Sequence, residues 1–123
     1  MRRTLAHLLL IVMLAACGGE ESDTAADDGP RVPQGTEEAQ ASFESFLSSP
    51  FITETQAEET RAMVWRACAA FDEGGAWQEF EDQTIADADA EGRTMGSLQI
   101  TGMRSAAGLG IPAYCPEHSG KGP

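Results

Sequence analysis

The stretch TQAEETRAMVWRACAAF, residues 55–71, decides the fold. Within it Ala57, Thr60, Val64, Ala67, Cys68 and Phe71 recur at three- and four-residue intervals, the period that gathers them on one stripe of an α-helix. Thr55 stands three residues before Glu58, the spacing of a capping box, and Gly74-Gly75 stops the pattern at its far end. Cys68 falls on the apolar stripe, so its thiol is expected in the core.

The flanking segments repeat the same period. Ala39, Phe43, Phe46 and Leu47 fall at i, i+4, i+7 and i+8 after Thr36, with Glu37 and Glu38 where a helix N-terminus favours negative charge and Pro50 closing the segment. Trp77, Phe80, Thr84 and Ala88 define a third helix that ends before Gly92 and carries a strongly acidic outer face. From Thr94 to Tyr114 four glycines lower helix propensity, and Pro112 opposes an undistorted continuation, so this helix is expected to fray or kink. No stretch alternates with period two. The chain therefore reads as all-α, a small bundle of three to four short helices over residues 37–117, followed by a mobile tail at 118–123.

The N-terminus reads as an export signal. Met1-Arg2-Arg3 is cationic, and Leu5 to Leu14 is apolar apart from His7, a run shorter than the roughly 20 residues a membrane-spanning helix needs. It ends in Leu14-Ala15-Ala16-Cys17, which looks like the bacterial lipobox, so residues 1–16 are expected to be cleaved and Cys17 to carry a diacylglyceryl group with palmitate-type chains. Two acyl chains hold a protein stably on a membrane surface. Residues 17–36 contain one large apolar residue, Val32, and are expected to form a disordered acidic tether. These features put the protein on the extracytoplasmic face of a bacterial membrane.

Assigning Cys17 to the lipid leaves Cys68 and Cys115 as an even pair in a compartment that permits disulfides. Free thiols and zinc ligation are the alternatives. Neither has support in the sequence, which has no Cys-x-x-Cys spacing and only His118 after the signal. A staple matters here because so short a domain buries a small core. Twenty acidic residues against eight basic ones, two of which leave with the signal, exclude nucleic acid and anionic lipid head groups as partners.

Phe43-x-x-Phe46-Leu47, then Cys68 near a helix end before Gly74-Gly75, then Tyr114-Cys115-Pro116, resemble domain of unknown function family 732 over roughly residues 42–117. Members of that family are small exported helical proteins, mostly of mycobacteria and related actinobacteria. The resemblance implies pairing of the two domain cysteines and supplies no activity.

Candidate sites are few. Asp87-Ala88-Asp89-Ala90-Glu91-Gly92 reproduces the opening of an EF-hand loop, with oxygen ligands at alternate positions before a turning glycine. Met95 and Leu98 then stand where the ninth and twelfth positions need ligands, so Asp87, Asp89 and Glu91 are weak calcium candidates beside the simpler reading of a solvated helix end. His118 next to Glu117 lies in the expected tail and reads as solvated. Glu79, Glu81 and Asp82 are acids that could pair, a common coincidence in so acidic a chain. Trp65 near Met63 lies off its helix stripe and reads as covered by neighbouring helices, with an exposed contact surface as the alternative.

No catalytic motif, cofactor motif or small-molecule substrate is recognisable. The expectation is a non-enzymatic lipoprotein that serves as an interaction module of the cell envelope and contacts an envelope protein. The alternatives are weak cation binding at Asp87–Gly92 and a small hydrolase, which would need a concave pocket with convergent polar groups.

Overall fold

Two threonines start the first two helices. Thr36 Oγ1 accepts from the Ala39 amide at 3.1 Å and opens α1 (Glu37–Leu47). Thr53 Oγ1 accepts from the Gln56 amide while Gln56 Oε1 accepts from the Thr53 amide, a reciprocal box that opens α2 (Glu54–Asp72). The start thus lies one threonine earlier than the Thr55–Glu58 spacing suggests. Ile52 before the cap and Ala57 after it both pack on the core, in the positions of a hydrophobic staple, and this favours the earlier box. The computed structural model describes residues 30–123, with α3 (Trp77–Ala90), α4 (Ser97–Tyr114) and a 3-10 turn, Pro116–His118, completing the fold. Among the described residues there is no strand, and no helix is long and apolar enough to cross a membrane. Residues 1–16, Cys17 and the tether up to residue 29 lie outside them.

The central element is α4, which packs against α1, α2 and the 3-10 turn, while α3 rests on α2. Phe43, Val64, Cys68, Phe71, Ile111 and Cys115 form the fully buried centre. Tyr114 meets the Phe43 ring edge-on at 5.8 Å and the Trp65 ring at 6.0 Å, so Trp65 is partly covered, as its reading as a packed residue expects. Three helices converge at Gly110. A Cβ there would lie 2.6 Å from Val64 Cγ2 and 3.1 Å from Phe43 Cε2, closer than carbon atoms pack.

Against expectation, α4 continues through Pro112 to Tyr114. Pro112 stands in the last turn, where its missing N–H forfeits a single bond, to the carbonyl of Gly108, an exposed residue that water can reach. The Cys115 amide closes the end on Ile111 O at 2.8 Å, and burial of Ile111, Ala113 and Tyr114 holds the turn in place.

The ordered domain also extends past both expected boundaries. Arg31 pairs with Asp72 at 3.0 Å, and the Gly35 amide donates to Ala113 O at 3.0 Å. The backbone there runs so close to α4 that a Cβ on Gly35 would lie 2.1 Å from Pro112 O. At the other end His118 is 8 % exposed, and Gly122 approaches the Ile111 side chain.

Cys68 and Cys115 are bonded, joining the end of α2 to the residue after α4 across 47 positions. Glu81 supplies the polar counterpart. It is 3 % exposed, accepts from Trp77 Nε1 at 2.7 Å, and receives both Arg104 Nε and an Arg104 terminal nitrogen, tying α3 to α4.

Closing a loop of this length lowers the entropy of the unfolded chain enough to stabilise by about 4 kcal/mol. Replacing both Cys68 and Cys115 by Ala is therefore expected to move the urea midpoint by that equivalent, and a shift below about 1 kcal/mol would remove the bridge as a main support. Two glycine substitutions on one helix are expected to act in opposite directions. Gly110→Ala forces Val64 and Phe43 apart and costs about 1–3 kcal/mol. At Gly102 a Cβ meets nothing, and Gly102→Ala gains up to about 1 kcal/mol from helix propensity. Equal effects from the two substitutions would overturn the packing account.

Candidate functional site

The sequence-predicted residues occupy separate places in the structure. Asp87 and Asp89 lie inside α3, where residues two apart point to opposite sides of a helix instead of converging as in a calcium loop. Asp87 Oδ1 accepts from Gln83 Nε2 at 2.8 Å, and Glu91 is held by the Arg93 guanidinium. Asp87 and Glu91 do line a shared hollow with Glu59, but Arg66 and Arg93 line it too and already supply its positive charge. Glu79 and Asp82 are exposed, whereas Glu81 is withdrawn into the ion pair with Arg104. Its position four residues after Trp77, on the same stripe as Thr84 and Ala88, is the signal in the sequence that marks it as inward-facing.

His118 is the largest departure from the sequence reading. The 3-10 turn after Cys115 carries it back onto α2, where its ring lies 5.5 Å from that of Phe71 and Nε2 donates to Asp72 Oδ1 at 2.7 Å. Among the described residues, Asp72, Glu117 and His118 bring three potential metal-ligand atoms within 4.8 Å of one another. Arg31 already occupies the second oxygen of Asp72, and Glu117 Oε1 stands 4.0 Å from Nε2. The cluster therefore functions as a clasp joining the N-terminal segment, α2 and the C-terminal turn. No sequence spacing announces it, because its members are brought together only by the fold.

An apolar concave feature of the surface lies at the other end of α2 and α4. An open groove of about 830 Å³ runs between them. Phe46, Phe51 and Ile52 form its end wall, Met63, Met103 and Ala106 its floor, and Leu98 its rim. Phe51 is 91 % exposed and Leu98 89 %, so two large apolar side chains stand in water at the mouth of an apolar trough. The polar side chains of the lining are engaged in local backbone bonds. Gln56 Oε1 accepts from the Thr53 amide, Thr60 Oγ1 donates to Gln56 O, and Gln99 Oε1 accepts from the Gly96 amide. Glu59 is the one charged residue of the lining, and no histidine, cysteine or serine lines it. Such a surface is suited to burying apolar matter. It presents no nucleophile with an adjacent base.

The titratable groups that depart from ordinary behaviour lie outside the groove. The Arg104 hydrogen bonds hold the Glu81 carboxyl below the usual carboxylate range, opposed in part by burial and assisted by the Trp77 indole. The His118 hydrogen bond does the same for Asp72, with Arg31 assisting. Burial raises the Tyr114 phenol above its usual value. Their locations make them supports of the fold.

Because the folded carboxyl of Glu81 titrates below its unfolded value of about 4.3, its pairing stabilises above that pH and is lost as pH falls through the folded value. The protein is expected to exceed its Glu81→Gln variant by about 1–3 kcal/mol at neutral pH. That gap should begin to narrow as pH falls below about 4.3 and close as pH passes the lower folded value, whatever the charge repulsion common to both proteins does. Urea titrations of both proteins across that range check this, and a gap independent of pH would refute the assignment.

No protein-family model, curated protein or solved structure matches the chain.

Proposed function

We propose that this protein is a lipid-anchored, extracytoplasmic binding module without enzymatic activity, tethered through Cys17 and engaging a partner through the groove between α2 and α4. The observation that carries the reading is the pair of exposed side chains, Phe51 and Leu98, flanking an apolar groove whose polar neighbours are committed to capping helices. Leaving large apolar groups in water forgoes roughly 1.5–3 kcal/mol for each that a partner would bury. The Cys68–Cys115 bridge supports export, since structural disulfides persist in oxidising compartments. Leu14-Ala15-Ala16-Cys17 supports the anchor, and Tyr114-Cys115-Pro116 supports kinship with domain of unknown function family 732.

Both halves of the reading can be tested on the protein extracted from membranes. A diacylglyceryl increment on a chain beginning at Cys17 is expected in its intact mass, and an unmodified Cys17 would overturn the anchor. For the groove, the neutral apolar dye Nile red is expected to fluoresce on binding and to lose most of that signal in Leu98→Ser and Gly102→Leu. Undiminished fluorescence in both variants would place apolar binding elsewhere.

A further inference from the structure

The groove has a length, a charge and an orientation, and together these specify an occupant. Its α4 side runs from Leu98 to Ala106 and its α2 side from Gln56 to Met63, about 12 and 10 Å at 1.5 Å per residue. A helix presenting apolar side chains at i, i+3 or i+4, and i+7 spans about 10 Å, so three such anchors fit the trough from end to end. A small apolar molecule lying in the groove leaves the outward faces of Phe51 and Leu98 in water, whereas a helix resting on the rim covers them.

Halfway along the α4 side stands Gly102, where a Cβ would meet nothing within the protein. Unlike Gly110, it is spared no clash by lacking a side chain, and it costs its helix about 1 kcal/mol relative to Ala. The open space over it lets a partner come close to the α4 backbone. Met63 and Met103 in the floor are unbranched and adjust to the shape of what they meet.

Charge selects the sign of the partner. Glu59 is the one charged residue of the lining and also borders the hollow that holds Arg66 and Arg93, so the sign is set mainly by the chain's 20 acidic against eight basic residues. No basic side chain lines the groove, and two of the arginines on its helices are already used, Arg61 by Glu44 and Glu58, and Arg104 by Glu81. An acidic partner or a second copy of this chain would add like charge, whereas a lysine- or arginine-flanked helix is attracted.

We propose that the groove docks an amphipathic helix of a partner protein, with an apolar stripe flanked by basic residues, on the side of the domain away from the anchor. The inference rests on the groove reading above. Its orientation follows from where the chain joins the domain: Arg31 meets Asp72 at the end of α2, and Gly35 meets Ala113 at the end of α4. Ala113 lies 11 residues, about 16 Å, along α4 from Gly102. The groove is at the amino ends of the same two helices, so the described chain begins at one end of the domain and the partner is taken at the other.

The test uses the full chain and fluorescence anisotropy of three labelled 18-residue peptides. One is a leucine–lysine helix with leucines on a single stripe, the second replaces its lysines by glutamates, and the third scrambles the leucine order of the first. The lysine helix is expected to bind at least about tenfold more tightly than either of the others. Its affinity should fall by a similar factor in Leu98→Ser and in Gly102→Leu, and Glu59→Lys should weaken the lysine helix while strengthening the glutamate one. Leu98 is exposed, so its substitution leaves the fold intact. Equal binding of the scrambled peptide would reduce the interaction to charge alone and overturn the proposal, as would full binding to both groove variants. A dimer in sedimentation equilibrium that Leu98→Ser disperses would make the occupant a second copy and also overturn it. If Nile red binds the groove and no peptide does, the groove reading stands and the helix inference falls. If neither binds, both fall.

Discussion

The structure depends on the contact between Gly110 of α4 and the side chains of Val64 and Phe43, where three helices meet with no room for even one extra carbon. Dispersion attraction weakens steeply over fractions of an ångström, so this approach decides how tightly α1, α2 and α4 can share one core. Around it the last helix is built from small residues, Ala106, Ala107 and Ala113, all buried. They let its backbone sit among larger side chains supplied by the other helices. The disulfide fastens the arrangement one turn further on, through Cys68 and Cys115. A core of this size gains little from area alone, which is why a close crossing and a covalent tie occur side by side.

This concentration of contacts gives the domain two unlike ends. At the carboxyl ends of α2 and α4 lie the bridge, the Asp72–His118 hydrogen bond, the Arg31 pair and the Gly35 backbone bond, so the first and last described segments close on each other. At the amino ends the same two helices flank a trough, with Phe51 and Leu98 left in water. The closed end resists opening because many bonds must break together. The open end carries none of these bonds, so the supports of the fold and the exposed apolar surface are separated.

The acidic residues divide in the same way. Most are solvated and keep the chain strongly negative, which sets what can approach it. Glu81 is buried and Asp72 half-exposed, and each is held in its charged form by a cation or imidazole from a distant part of the chain. Both act as joints between elements. Glu81 attaches α3, the least embedded helix, to α4, and Asp72 joins both termini of the described domain to α2. Each joint depends on ionisation, so the fold couples to pH through two carboxylates out of a large number.

The helices, the all-α class and the buried place of Cys68 were legible in the sequence because they follow from periodicity, and periodicity is a local property. The cysteine pairing was legible from counting. The start of α2 was displaced because two threonine boxes overlap, and burial of Ile52 chose between them. The continuation through Pro112, the capture of His118 and the ordering of Arg31 to Gly35 were not legible, since each rests on a neighbour dozens of residues away. The groove belongs with these. Phe51, just before α2, and Leu98, in the first turn of α4, are ordinary apolar letters, and only packing decides which apolar residues the core has room for and which remain outside. Local spacing determined what this chain would form, and the tertiary close approach of its helices decided which apolar side chains would stay in water, because burial is a property of the assembled surface.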